Sequence, residues 1–200
     1  WWWRFKIMGL FSTFTSPTTW ENDQSFDPSD IYQDVLTRYA SNPKYDITTE
    51  EMQEMIDRIA YHESKGIPSA KQLGGGPGRG LFQFEIGKQR GAQTAIQRFR
   101  NYYEKHDPKL ANIVIPEDFS TISGDMQKAI FLINLMATPN RPGHTVEASL
   151  DSVKQHGMQS LEDLWINYHW KGYEVDPGSI EARRASFQRD MQDYDKKYKK

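Results

Sequence analysis

Cysteine is absent from all 200 residues, which excludes a disulfide framework, a thiolate zinc centre and a cysteine nucleophile. The absence suits a chain first made in a reducing compartment. Long apolar runs are missing as well. No stretch approaches the about 20 residues that a membrane-spanning helix needs, and mean hydropathy is −0.78, so the chain reads as soluble or peripheral. A basic excess is also lacking: 25 Lys and Arg face 27 Asp and Glu, a formal charge of −2. That removes the electrostatic drive for strong non-specific binding to polynucleotides, and no nucleic-acid partner is expected.

What remains is enough for a folded protein. Hydrophobic residues make up 37% and aromatics 13%, so a chain of this length can bury one ordinary core despite its polar average. The aromatics are unevenly spread. Four of the six tryptophans (Trp1, Trp2, Trp3, Trp20) fall in the first twenty residues, joined by Phe5, Phe11 and Phe14. Arg4 and Lys6 interrupt this run, and a secretory leader would instead carry a longer aliphatic stretch, so secretion is not signalled. Aromatics flanked by cations favour membrane interfaces. Residues 1–44 are therefore expected to form an aromatic N-terminal arm and a linker helix, the arm touching a bilayer or docking into an assembly. A processed, truncated or fused end is the alternative.

Further along, residues 21 to 30 read as a linker, and residues 31 to 39 as a short helix stopped by Asn42-Pro43. Thr48 and Glu51 have capping-box spacing, and Met52, Met55, Ile56, Ile59 and Ala60 recur at helical steps until Gly66. The glycine-rich run 74–80 forces a loop. Leu81-Phe82-Gln83-Phe84-Glu85 then alternates with a period of two, predicting a short strand that turns Phe82 and Phe84 inward and sets Gln83 and Glu85 on one outer face. An amphipathic helix follows through Ala92, Ala95, Ile96 and Phe99. Residues 125 to 136 are apolar almost all round, as suits a helix surrounded by others. Helices are also predicted over about 146–155, 160–171 (Ser160 with Asp163 as a capping pair) and 179–198. Residues 179–200 hold seven Lys or Arg against four acids, a solvated helix end or a surface attracted to an anionic wall or membrane.

Continuing the face Met52, Ile56, Ile59 by one more turn lands on Glu63. A carboxyl thus occupies the side otherwise reserved for burial, at the negative end of the helix dipole. Both influences disfavour the carboxylate, so its pKa is expected to rise, as a general acid working near neutrality requires. A glutamate reaching back to solvent, or pairing with Arg58 or Lys65, is the plainer alternative. His62-Glu63 is not a zincin motif, since position 66 is glycine where the second histidine belongs. No other histidine spacing suggests a metal, and no metal or cofactor is expected. The glycine loop lacks the Lys-Ser/Thr of a phosphate-binding loop.

The order of elements carries more information. A helix ending in Glu63-Ser64, a glycine-rich connection, and then Gly80-Leu81-Phe82-Gln83 resembles the lysozyme-like superfamily, in particular lytic transglycosylases and goose-type lysozymes. Their helix-terminal Glu-Ser precedes a Gly-Leu-Met-Gln strand at the sugar cleft, and Phe82 stands here where methionine is usual. The close resemblance covers residues 56 to 85. It implies an α+β, mainly helical, lysozyme-like domain over residues 45–200, with a small β-hairpin beside the active-site helix. It further implies Glu63 as catalytic acid, Ser64 supporting it or the substrate, and Gln83 binding a sugar.

The family's later Tyr-Asn element is only partly echoed by Tyr168-His169-Trp170-Lys171-Gly172. Tyr168 could hydrogen-bond Glu63 with His169 replacing the asparagine, or Tyr168 and Trp165 could lie in a buried stripe with Leu161 and Leu164. The implied substrate is the β-1,4 MurNAc-GlcNAc bond of peptidoglycan glycan strands, cut by the one-carboxyl transglycosylase route. A hydrolytic lysozyme using Glu85 as second carboxylate is one alternative. A structural phage-particle protein without turnover is another. The resemblance and the aromatic arm together suggest a bacteriophage virion-associated protein acting at the bacterial cell wall and periplasm, in contact with other virion proteins or a membrane surface.

Overall fold

The computed structural model describes residues 26–87, 91–140, 143–170 and 176–199. The aromatic arm, and Lys171-Gly172 of the partial Tyr-Asn element, lie outside those residues. Among the described residues the fold is α+β and mainly helical, with one two-stranded antiparallel sheet and no helix long and apolar enough to cross a membrane.

The core is organised around α5 (Gly124–Met136), capped by Ser123 Oγ accepting from Met126 N at 3.2 Å. Its residues from Met126 to Leu135 are buried on nearly every side, as an apolar helix without a polar face must be. α1 (Pro28–Ala40) packs on it through Ile31, Tyr32, Val35 and Leu36. That helix starts within the stretch read as linker, because Asp27 caps it and Pro28 sits at its first turn, where a missing N–H costs nothing. α3 (Ala92–His106) covers another side of α5, with Arg98 Nη1 donating to Asn134 O, Asn134 Oδ1 and Thr138 Oγ1 at 3.1, 2.9 and 2.7 Å. The short α4 (Pro108–Ala111) follows α3 directly.

α2 (Thr49–Ser64) begins at the expected capping box: Thr48 Oγ1 accepts from Glu51 N at 3.1 Å and Glu51 Oε2 from Thr48 N at 2.9 Å. It stops where Lys65 and Gly66 both turn left-handed, at φ +57° and +76°. Beyond α6 (Val146–His156), α7 (Leu161–Leu164) runs into a π-helical segment, Trp165–Trp170. The expected Ser160–Asp163 cap is not made. Ser160 Oγ donates instead to Gly157 O at 2.9 Å. α8 (Ile180–Tyr198) lies along α2, tied by Arg58, which is 2% exposed, bonds Glu54 Oε1 at 2.8 Å and pairs with Asp195.

The hairpin differs from the sequence expectation. β1 (Gly78–Arg79) pairs with β2 (Phe84–Glu85), and residues 80–83 form the turn between them, so the five-residue alternating strand is not formed. Two things bend it. Gly80 and Gln83 are left-handed, at φ +76° and +49°. The fully buried Gln127 of α5 takes Leu81 N onto its Oε1 at 2.5 Å while its Nε2 donates to Pro68 O and Ile122 O at 3.1 and 3.0 Å. A Cβ on Gly80 would lie 2.2 Å from Gln127 Oε1, so only glycine fits. Phe82 stacks on Phe131 of α5 with centroids 3.9 Å apart, fixing the turn to the core.

Candidate active site

Glu63 occupies the last turn of α2, where the helix's buried face meets the π segment. Its side chain is 16% exposed. The Trp165 indole Nε1–H donates to its Oε1 at 2.5 Å, and His169 Nε2 lies 3.4 Å from the same oxygen. Both partners converge on Oε1, and among the described residues no hydrogen bond reaches Oε2. One oxygen is therefore held and the other is available to exchange a proton.

His169 links this carboxyl to the hairpin. Its Nε2 is 2.8 Å from Phe82 O, and since a carbonyl can only accept, Nε2 carries the hydrogen. The ring stands edge-on to Phe84 and Phe131, at 5.5 and 5.3 Å between centroids. Glu63, His169 and the 80–83 turn thus form one contiguous unit, built on the aromatic packing that anchors the hairpin to α5.

The electrostatics correct one expectation. Burial is the strongest influence on Glu63 and pushes its pKa up, but the hydrogen bond and charge of His169, the charge of His62 and the Trp165 N–H together outweigh it. The net shift is below the ordinary glutamate range, so Glu63 rests as a carboxylate at neutral pH. Position on the helix predicted the desolvation correctly. It gave no view of the donors, which arrive from 102 and more residues away.

Behind Trp165 lies a second polar layer. His62 Nδ1 is 2.8 Å from Asp190 Oδ2 of α8, and Lys65 pairs with the same carboxylate. The His62 ring stands edge-on to Trp165 at 4.5 Å and leans on Phe187 at 4.8 Å. Burial lowers the His62 pKa, although Glu63 and Asp190 pull the other way. His62 and Asp190 thus form the floor on which the indole rests.

The remaining sequence candidates divide. His169 lies beside Glu63, the position the sequence reading offered to Tyr168. Tyr168 is 1% exposed with its hydroxyl on Asn140 Oδ1 at 3.5 Å, and it lies in the buried stripe with Leu161, Leu164 and Trp165. From that helix Trp165 makes the hydrogen bond to Glu63 and His169 Nε2 comes within 3.4 Å of the same oxygen, in place of the proposed tyrosine contact. Ser64 Oγ donates back to Ala60 O at 3.0 Å, closing its own helix. Gln83 Nε2 donates to Gly80 O at 2.7 Å, so its amide braces the turn. Glu85 is half-buried in β2 opposite Gly78, and with 80–83 as a turn its placement no longer follows from strand alternation.

Sequence reasoning missed Trp165 as a donor, although its i, i+4 relation to His169 was a readable signal. His62 was weighed only as a zinc ligand. Asp190 carried no local signal at all. No family model, curated protein or solved structure matches this chain.

Proposed function

We propose that the protein is a peptidoglycan lytic transglycosylase that cleaves the β-1,4 MurNAc-GlcNAc bond with Glu63 as its single acid and base. The observation that carries this reading is the bridge from Glu63 through His169 to Phe82 O. It unites the helix-terminal carboxyl and the Gly-Leu-Phe-Gln turn, the two motifs whose order in the chain pointed to glycan cleavage.

In this reading Oε2 first takes up a proton. It gives that proton to the glycosidic oxygen as the C1–O bond breaks, then removes the proton of the muramic 6-hydroxyl, whose oxygen closes on C1 to form the 1,6-anhydro ring. No water is consumed and one carboxyl suffices. Trp165 and His169 keep Oε1 fixed throughout and stabilise the ionised form between the two steps. A sugar covering the remaining exposure of Glu63 strengthens the burial that favours its protonation.

The lowered pKa of Glu63 favours one other reading, a phage-particle protein that keeps this arrangement without turnover. A digest of purified cell wall separates the two. Anhydro-muramic ends in the wild-type digest, absent with Glu63→Gln, support the transglycosylase, whereas reducing ends point to a hydrolase using Glu85. Equal wall clearing by wild type and variant overturns the catalytic assignment. Glycan strands are the proposed partner, and the aromatic arm is the proposed contact with a bilayer or with other virion proteins at the cell wall.

A further inference from the structure

A cavity of about 270 Å³ lies between α1, α3 and α4, and none of its lining residues belongs to the Glu63 unit. Its walls carry the acids Asp27, Asp30, Asp34 and Asp107 and the basic side chains Arg38 and His106. Arg38 Nε is already bound to both oxygens of Asp34, at 2.7 and 2.9 Å. Asp27 and Asp107 each cap a helix through one oxygen, accepting from Ser29 N and Lys109 N. Among the described residues neither these two nor Asp30 has an ion-pair partner. The floor is apolar, formed by Ile31 and Leu110 with Phe26 at the side.

A second observation is independent of the acids. Tyr103 lines the same cavity and is 1% exposed, yet its hydroxyl has no hydrogen-bond partner. Its ring is fixed against Phe99 and Tyr102, and its hydroxyl lies within electrostatic reach of Asp34 and Asp107 and of the Arg38 guanidinium that Asp34 already pairs. A buried phenol left unpaired is costly unless something completes it. Burial and the neighbouring acids keep it protonated, hence able both to donate and to accept.

We infer that this cavity is a binding site for a primary alkylammonium group, its charge set among Asp30, Asp34 and Asp107, its stem on Ile31 and Leu110, and its N–H completing the Tyr103 hydroxyl. The volume, that of roughly nine waters, suits a stem of a few carbons and excludes a large ligand. A free diamine and a lysine side chain of a peptide share this chemistry. The site is separate from Glu63 and stands whether or not the proposed activity does.

The test is calorimetric titration of the full chain at low salt with 1,5-diaminopentane, with 1-pentanol as the uncharged control and N-acetyl-lysine-methylamide as the peptide-side-chain probe. Saturable binding of either amine but not of the alcohol is expected. Tyr103→Phe should weaken it about tenfold without lowering Tm, because the hydroxyl bonds to nothing in the free protein. Asp30→Asn should weaken it and flatten its salt dependence. Tighter binding of the lysine derivative assigns a peptide ligand, and tighter binding of the diamine assigns a free amine. No saturable binding of either amine, equal binding of the alcohol, or unchanged amine affinity in Tyr103→Phe overturns the inference. Glu63→Gln should leave the affinity unchanged.

Discussion

Helix α2 carries two charged clusters about one helical turn apart, one against α8 and one against the π segment, and the two are built on different chemistry. At Arg58 the partners are permanent ions: its guanidinium, 2% exposed, is shared between Glu54 and Asp195, and Lys199 closes on Glu54 at 2.5 Å. The Tyr194 ring covers the cation at 4.7 Å. At Glu63 the partners are an indole and one imidazole, with the His62 ring behind the indole, and one carboxylate oxygen is left unbonded. The first cluster fixes helix positions under any mild condition. The second sets the protonation of a carboxyl, as the proposed proton transfer requires.

The sharpest way to break this contrast is Glu63→Gln. The amide keeps the shape and leaves an oxygen for Trp165, so stability should change little while glycan cleavage falls on the order of a thousandfold. Turnover by the variant would reduce the Glu63 cluster to a second structural tie. Next in size is Arg58→Ala, which removes the buried cation and leaves Glu54 and Asp195 facing each other. Breaking such a pair costs about 3 kcal/mol, read as a drop in denaturant midpoint. Arg58→Met should recover part of the loss, because the aliphatic stem supplies some of the packing. If Arg58→Ala is tolerated without loss, α8 is held by its apolar contacts at Phe187 and Met191 instead.

The Trp165→Phe variant tests a finer difference. It removes one donor from Oε1 and one of the influences holding the Glu63 pKa down. The carboxyl should then keep its proton to higher pH, moving the alkaline limb of activity upward. Lys199→Met at the other cluster removes a permanent charge remote from Oε1, so it should leave that limb in place. A limb unmoved by Trp165→Phe would show that burial and the two histidines set the carboxyl's pKa without the indole.

How much of this was written locally in the chain follows the reach of each interaction. The Thr48–Glu51 cap, the all-round burial of α5 and the placement of Glu63 on the buried face of α2 depend on residues within a turn or two, and all were legible. The hairpin was half legible. Phe82 and Phe84 do point inward, but the bend between β1 and β2 depends on Gln127, 46 residues beyond Leu81, gripping its amide. Trp165 read as one more apolar residue, since nothing in a helical stripe tells which indole N–H will face a carboxylate. Asp190 was invisible for the same reason: its role is set by how α8 lies on α2.

The smallest effect expected is that of Asp190→Asn, and its sign separates the clusters most cleanly. Burial holds the His62 pKa below its ordinary value, while Asp190 partly restores it. A histidine depressed in the folded state contributes stability that is full above the unfolded pKa, near 6.5, and is lost as pH falls through the folded value, because the unfolded chain takes up a proton the folded one resists. Removing the Asp190 charge depresses His62 further and deepens that acid loss. Near neutrality the variant should match wild type within a few tenths of a kcal/mol, and below about pH 6 the gap should widen in melting curves taken across pH. Asp195→Asn, whose partner Arg58 does not titrate, should lower stability by the same amount at every pH between 6 and 8. Parallel curves for both variants would mean that His62 does not titrate against Asp190, and that the two clusters are alike after all.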